Sequence, residues 1–147
     1  MPATRPRISG RSGEHDAGRR SARHVGVHRD RTRPQLDEAL IPDRVATTVV
    51  TLAELRVGVL AAATTDIRAQ RLATLESVAD METLPVDDDA ARMWARLRIH
   101  LAESGRRVRI NDLWIAAVAA SRALPVITQD DDFAALDGAA SVEIIRV

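Results

Sequence analysis

"INDLWIAAVAASRALPVITQDDDF", residues 110–133, joins a long apolar run to a short β-branched one and stops on three consecutive aspartates. Residues 113–120 carry no charge, so a helix formed here is buried on most of its circumference. Asn111 is placed to cap that helix and Asp112 falls in its first turn, where the helix dipole favours an acid. "LPVIT" (124–128) reads as a buried strand, and "DDFAAL" as a short helix behind it. A buried helix feeding a buried strand is the unit of an α/β fold with a mainly parallel sheet.

The same alternation continues outward. "VATTVV" (45–50) is a strand by type, followed by "TLAELRVGVLAAA", a helix with Thr51 as its N-cap and Leu52, Leu55, Val59 and Leu60 inward. "DIRAQRLATLESVAD" (66–80) forms a second amphipathic helix with Ile67, Leu72, Leu75 and Val78 inward. "METLPV" (81–86) is a short strand. The helix over 87–105 opens on acids and has Gly105 past its end, and "VEIIRV" (142–147) is a closing strand.

With 147 residues and 46% hydrophobic content, the chain has the length of one domain with a real core. No apolar run approaches the ~20 residues that span a bilayer, and the N-terminus has no apolar signal region, so the expectation is a cytoplasmic protein with no membrane partner. The absence of cysteine excludes disulfides, thiolate metal sites and thiol nucleophiles, so a metal here needs oxygen or imidazole ligands. All 21 basic residues are arginine, which reflects a GC-rich coding sequence. The formal charge of zero hides an asymmetry: residues 1–34 hold nine arginines against three acids, and the rest twelve against eighteen.

In an open parallel sheet the C-terminal strand ends form the site. Glu54 opens the helix after the 45–50 strand, Asp112 opens the buried helix, and Asp130 to Asp132 follow the strand ending at Thr128. Each has a structural explanation: Thr51 and Glu54 fit a capping box, Asp112 suits a helix start, and the aspartate triplet suits a polar turn. Together they read as one acidic crevice, because clustered carboxylates repel unless a cation neutralises them. All-oxygen ligands suit Mg²⁺ or Mn²⁺, and such ions support water attack on phosphodiesters. The histidines lack zinc spacing, and there is no Gly-rich phosphate loop or G-x-S-x-G. Trp94 and Trp114, at helical spacing among apolar residues, read as core.

"TTVVTLAEL", "INDLWIAAVA" and "VITQDDDFAAL", in this order and spacing, resemble the PIN-domain ribonucleases, specifically the VapC-type toxins of toxin–antitoxin pairs. The likeness runs from about Leu36 to the C-terminus and implies a PIN-like three-layer sandwich over residues 35–147. It implies a Mg²⁺- or Mn²⁺-dependent RNA endonuclease, silenced by a VapB-like antitoxin and commonly a homodimer. Carried over residue by residue, the metal-binding and catalytic acids are Glu54, Asp112 and Asp130, with Asp132 assisting and Asp131 solvated. Thr128 would orient ligands or substrate, and Arg106, Arg107 and Arg109 are candidates for phosphate contact, with a solvated loop as the alternative.

The family begins with an apolar strand ending in a metal-binding aspartate, and no such segment precedes Leu36. Residues 1–34 show no hydrophobic period and have the composition of a disordered Arg-rich segment. Yet "SARHVGVHRDRT" (21–32), read one base later with permitted codons, spells "LLDTSVFIATE", a strand, an aspartate in "DTS" and a helix start. The expectation is therefore that this segment is translated out of frame and that the first strand is missing or disrupted. Two readings stay open beside the active nuclease: a catalytically inactive PIN domain that binds only antitoxin or RNA, and a nucleic-acid binder acting through its basic arm.

Overall fold

β-Branched segments followed by helix-favouring ones build a five-stranded, wholly parallel sheet in the computed structural model, which describes residues 24–26 and 44–147. β1 (His24–Gly26) is followed by β2 (Val45–Thr48), which runs into α1 (Val49–Leu60) and α2 (Thr65–Ser77). β3 (Glu82–Leu84) precedes α3 (Asp88–Glu103) and α4 (Ile110–Ala120). β4 (Val126–Thr128) reaches β5 (Ile144–Arg146) through two 3-10 turns, Asp131–Leu136 and Ala139–Ser141.

The strand order is β3-β2-β1-β4-β5. From β2 the chain steps to one edge, and from β3 it crosses back over two strands to β4. Right-handed crossovers in opposite directions place α1 and α2 on one face and α3 and α4 on the other, the three-layer arrangement expected from sequence. Burial follows position. β4 is buried throughout and β2 is buried from Ala46 to Thr48, whereas β3 and β5 are largely open edges.

β1 corrects one expectation. The first strand is present, three residues long, at the centre of the sheet: Val25 pairs with Ala46 on one side and with Val126 on the other. Strand pairing is made by backbone N–H and C=O groups, which do not read side chains. An extended stretch from an arginine-rich segment can therefore fill the row between β2 and β4 although its composition does not announce a strand. Residues 1–23 and 27–34, the remainder of the segment expected to be disordered, lie outside the described residues.

Local signals set the helix ends. Asp87 caps α3 by accepting the Ala90 N–H at 2.9 Å, and the Arg122 guanidinium reaches the same carboxylate at 2.7 Å. Both interactions hold the Asp87 carboxyl below the usual range, the Ala90 hydrogen bond more than the arginine. At the other end, the N–H of Arg106 bonds the Leu101 carbonyl and that of Gly105 the Ala102 carbonyl, with Gly105 left-handed at φ 66°. Only glycine adopts that conformation without a Cβ penalty, which is why the helix stops there.

Thr51 does not cap α1. Thr48 does, accepting the Thr51 N–H at 3.1 Å, and the two hydroxyls lie 3.0 Å apart in a buried pair. The cap comes three residues earlier than expected because β2 turns directly into the helix at Thr48. Glu54 is consequently the sixth helical residue, too deep for a capping box.

The core lies around α4, with Leu97, Leu113, Ile115, Val118, Phe133 and Leu136 at 2% exposure or less. Trp94 and Trp114 are half-buried rather than central, stacked with centroids 5.1 Å apart and ring planes at 22°. On the other face, Leu55 is buried but Leu60 is 81% exposed. One residue beyond Val59 is a 100° rotation, which carries Leu60 off the inward face. Leu72, also expected inward, is 41% exposed. Among the described residues no helix is long and apolar enough to cross a membrane.

Candidate metal centre

The strand order reverses between β1 and β4, and in such sheets a crevice opens there, outside the C-terminal strand ends. The sequence delivers its acids to this crevice by three routes. α1 starts at the end of β2 and carries Glu54. The turn after β4 carries Asp130 to Asp132, and the first turn of α4 carries Asp112.

Asp112 is the buried member, 8% exposed, and its Oδ2 has no hydrogen-bond partner. Its carboxyl is pushed up to about 6, chiefly by burial and next by the charge of Glu54. Arg109 works against the rise, while Asp130 and Asp132 add to it. The helix N-terminus favours an anion here, but loss of water and three neighbouring carboxylates win. The structure thus brings Glu54, Asp112, Asp130 and Asp132 into one field.

Each neighbour is held in a definite way. Glu54 accepts from the Asn111 Nδ2 at 2.8 Å. Asp130 donates its own N–H to Thr128 Oγ1 at 2.9 Å and accepts the Asp132 N–H on Oδ1 at 3.0 Å, which folds the acidic turn. Asp132 pairs with Arg109 at 3.2 Å. Asp131 is exposed and ion-paired with Arg146.

Thr128 is 1% exposed, and its hydroxyl is engaged by the Asp130 amide, so it shapes the acidic turn. Arg106 reaches the Ala135 carbonyl at 3.4 Å and Arg107 is exposed. Asn111 is not the cap expected of it. Arg109 holds the cap position without a side-chain bond, and Asn111, one residue inside the helix, turns sideways to α1. The sequence gives no signal for this, because Asn111 stands where a cap is expected and only the fold brings Glu54 to its amide.

The donors are all oxygens, one of them an orphaned buried carboxylate oxygen, which fits a hard divalent cation. Among the described residues no three histidine or acidic side chains already close into a coordination sphere. Asn111 and Arg109 occupy two of the four carboxylates, and the described part of β1 adds no acid.

The PIN domain pattern matches residues 25–139. The chain belongs to the PIN-domain family. It is 40% identical over 111 residues to Ribonuclease VapC4 of Mycobacterium tuberculosis, covering 72% of this chain and 83% of that protein. It is 91% identical to a chain in the crystal structure of VapBC-5, a member of the VapBC family of toxin–antitoxin systems from Mycobacterium tuberculosis. That match has a TM-score of 0.80 and covers 86% of this chain and 99% of the other. FitAcB from Neisseria gonorrhoeae is similar at 29% identity and a TM-score of 0.60, covering 78% of this chain and 88% of its own.

Proposed function

We propose that this PIN-domain chain is a divalent-metal-dependent endoribonuclease toxin of a toxin–antitoxin pair. The observation that carries the reading is the unpartnered buried oxygen of Asp112 among three further carboxylates at the reversal point of the sheet. The likeness to a ribonuclease and to a toxin–antitoxin structure supports it. Glu54, Asp112 and Asp130 are the proposed ligands, with Asp132 assisting once released from Arg109.

A bound Mg²⁺ or Mn²⁺ supplies water activation and charge neutralisation for attack on an RNA phosphodiester. Arg109, freed from Asp132, and the exposed Arg106 and Arg107 offer guanidinium groups for phosphate oxygens. Thr128 acts through Asp130 by fixing its amide. A VapB-like antitoxin is the proposed silencing partner and a homodimer the proposed assembly, working in the cytoplasm.

Incubating the purified chain with RNA in Mn²⁺, Mg²⁺ or EDTA tests the reading. Cleavage that EDTA stops and that E54Q and D112N each lower at least about 100-fold supports it; metal-independent cleavage, or cleavage indifferent to both substitutions, rejects it.

One observation favours a second reading. β1 is three residues long and carries no carboxylate, so among the described residues the family's first ligand has no counterpart and the central strand is short. An out-of-frame segment up to about residue 34 accounts for both features, and leaves a chain that binds antitoxin or RNA without cutting. The nucleotide sequence across codons 18–38 decides: a shifted frame spelling "LLDTSVFIATE" makes the segment a misread first strand, and any other sequence makes the basic arm genuine.

A further inference from the structure

We propose that Asn111 is a positioning residue for the metal site, its amide holding one oxygen of Glu54 so that the other is presented beside Asp112. The inference rests on the metal-site reading above. Glu54 and Asn111 come from helices on opposite faces of the sheet and stand 57 residues apart, yet their side chains meet at 2.8 Å in a part-buried contact. An ionised carboxylate only accepts, so the amide must present its Nδ2–H to Oε1. Oε2 is left for a cation.

The choice of donor matters chemically. A lysine or arginine in this place would neutralise Glu54 and compete with a metal ion, as Arg109 does at Asp132. A neutral amide orders the carboxylate and leaves its charge intact. A free glutamate gives up rotamer entropy on being fixed, and a hydrogen bond already made removes part of that cost from metal binding. Adjacency completes the device. Asn111 and Asp112 are consecutive in one helix, 100° apart around its axis, so a single rigid turn aims one side chain at Glu54 and the other into the crevice.

Partners that orient metal-binding carboxylates are worth about 10- to 100-fold in metal affinity. The test is Mn²⁺ binding to the full chain, measured by calorimetry and by the electron paramagnetic resonance of free Mn²⁺. Wild type is compared with N111A, E54A and the double variant, and folding is checked by circular dichroism. Expected is a 10- to 100-fold weaker Kd for N111A, with no further loss when N111A is added to E54A. N111Q, which keeps the amide donor, should bind Mn²⁺ more tightly than the equally long N111M, a comparison that serves even where N111A does not fold. Unchanged affinity in N111A, equal affinity of N111Q and N111M, or an equal loss in the E54A background overturns the proposal. If the wild type binds no Mn²⁺ while remaining folded, the metal-site reading itself fails and takes this assignment with it.

Discussion

Replacing Asp112 by asparagine should make the metal-free protein more stable at pH 8, although it removes a central acid of the proposed site. The Asp112 carboxyl is raised from 3.8 to about 6 by burial and by Glu54. At about 1.36 kcal/mol per pH unit, ionising it costs the folded state about 3 kcal/mol. Because the folded value lies above the unfolded one, its proton stabilises the fold fully below about pH 4. That contribution is lost as the pH rises through about 6. D112N cannot ionise, so at pH 8 it escapes the cost, less whatever the new amide loses by imperfect hydrogen bonding.

A domain of this size shifts in Tm by about 2–4 °C per kcal/mol, giving D112N a rise of up to about 6–12 °C at pH 8. At pH 4 the two proteins should melt together. The assay is thermal unfolding followed by circular dichroism in EDTA across pH 4–8, repeated with Mn²⁺. The ion should stabilise wild type and leave D112N nearly unmoved. A D112N variant that melts at or below wild type at pH 8, while matching it at pH 4, would refute the placement of Asp112 as a buried carboxylate in an acidic field.

Other substitutions separate structure from site. T48A removes the cap of α1 and the hydroxyl partner of Thr51, and should cost about 0.5–2 kcal/mol in urea unfolding, with T48S recovering most of it. L97A opens a cavity at a fully buried position and should cost about 2–5 kcal/mol by the same measurement. The cleavage losses of E54Q and D112N and the Mn²⁺ affinities of the Asn111 variants complete the set, read by RNA gel assay and calorimetry respectively.

The order of helices and strands from residue 45 onward was legible because its signals are local. "VATT" and "VIT" are β-branched or apolar throughout, and "II" (144–145) is the apolar, β-branched part of β5. Asp87 and Gly105 mark the two ends of α3 by cap chemistry that any four or five consecutive residues display. The proposed acids were picked out for a related reason: each lies shortly after a strand or in the first turns of a helix, and a parallel sheet gathers such positions at one edge.

What escaped the sequence depends on partners distant along the chain. The capping position moved from Thr51 to Thr48 because β2 enters the helix without a loop, a matter of where pairing with β3 ends. Asn111 looked like a cap until α1 placed Glu54 within reach of its amide. β1 was invisible because a backbone ladder between β2 and β4 accepts an extended segment regardless of its side chains. The sequence alone determined the order of strands and helices from residue 45 onward and the candidate ligands, since propensity, capping and hydrophobic period act over a few neighbours. The tertiary structure alone decided that Asp112 is buried beside Glu54 and that Asn111 holds that glutamate, since desolvation and through-space charge exist only once the two faces of the sheet have closed.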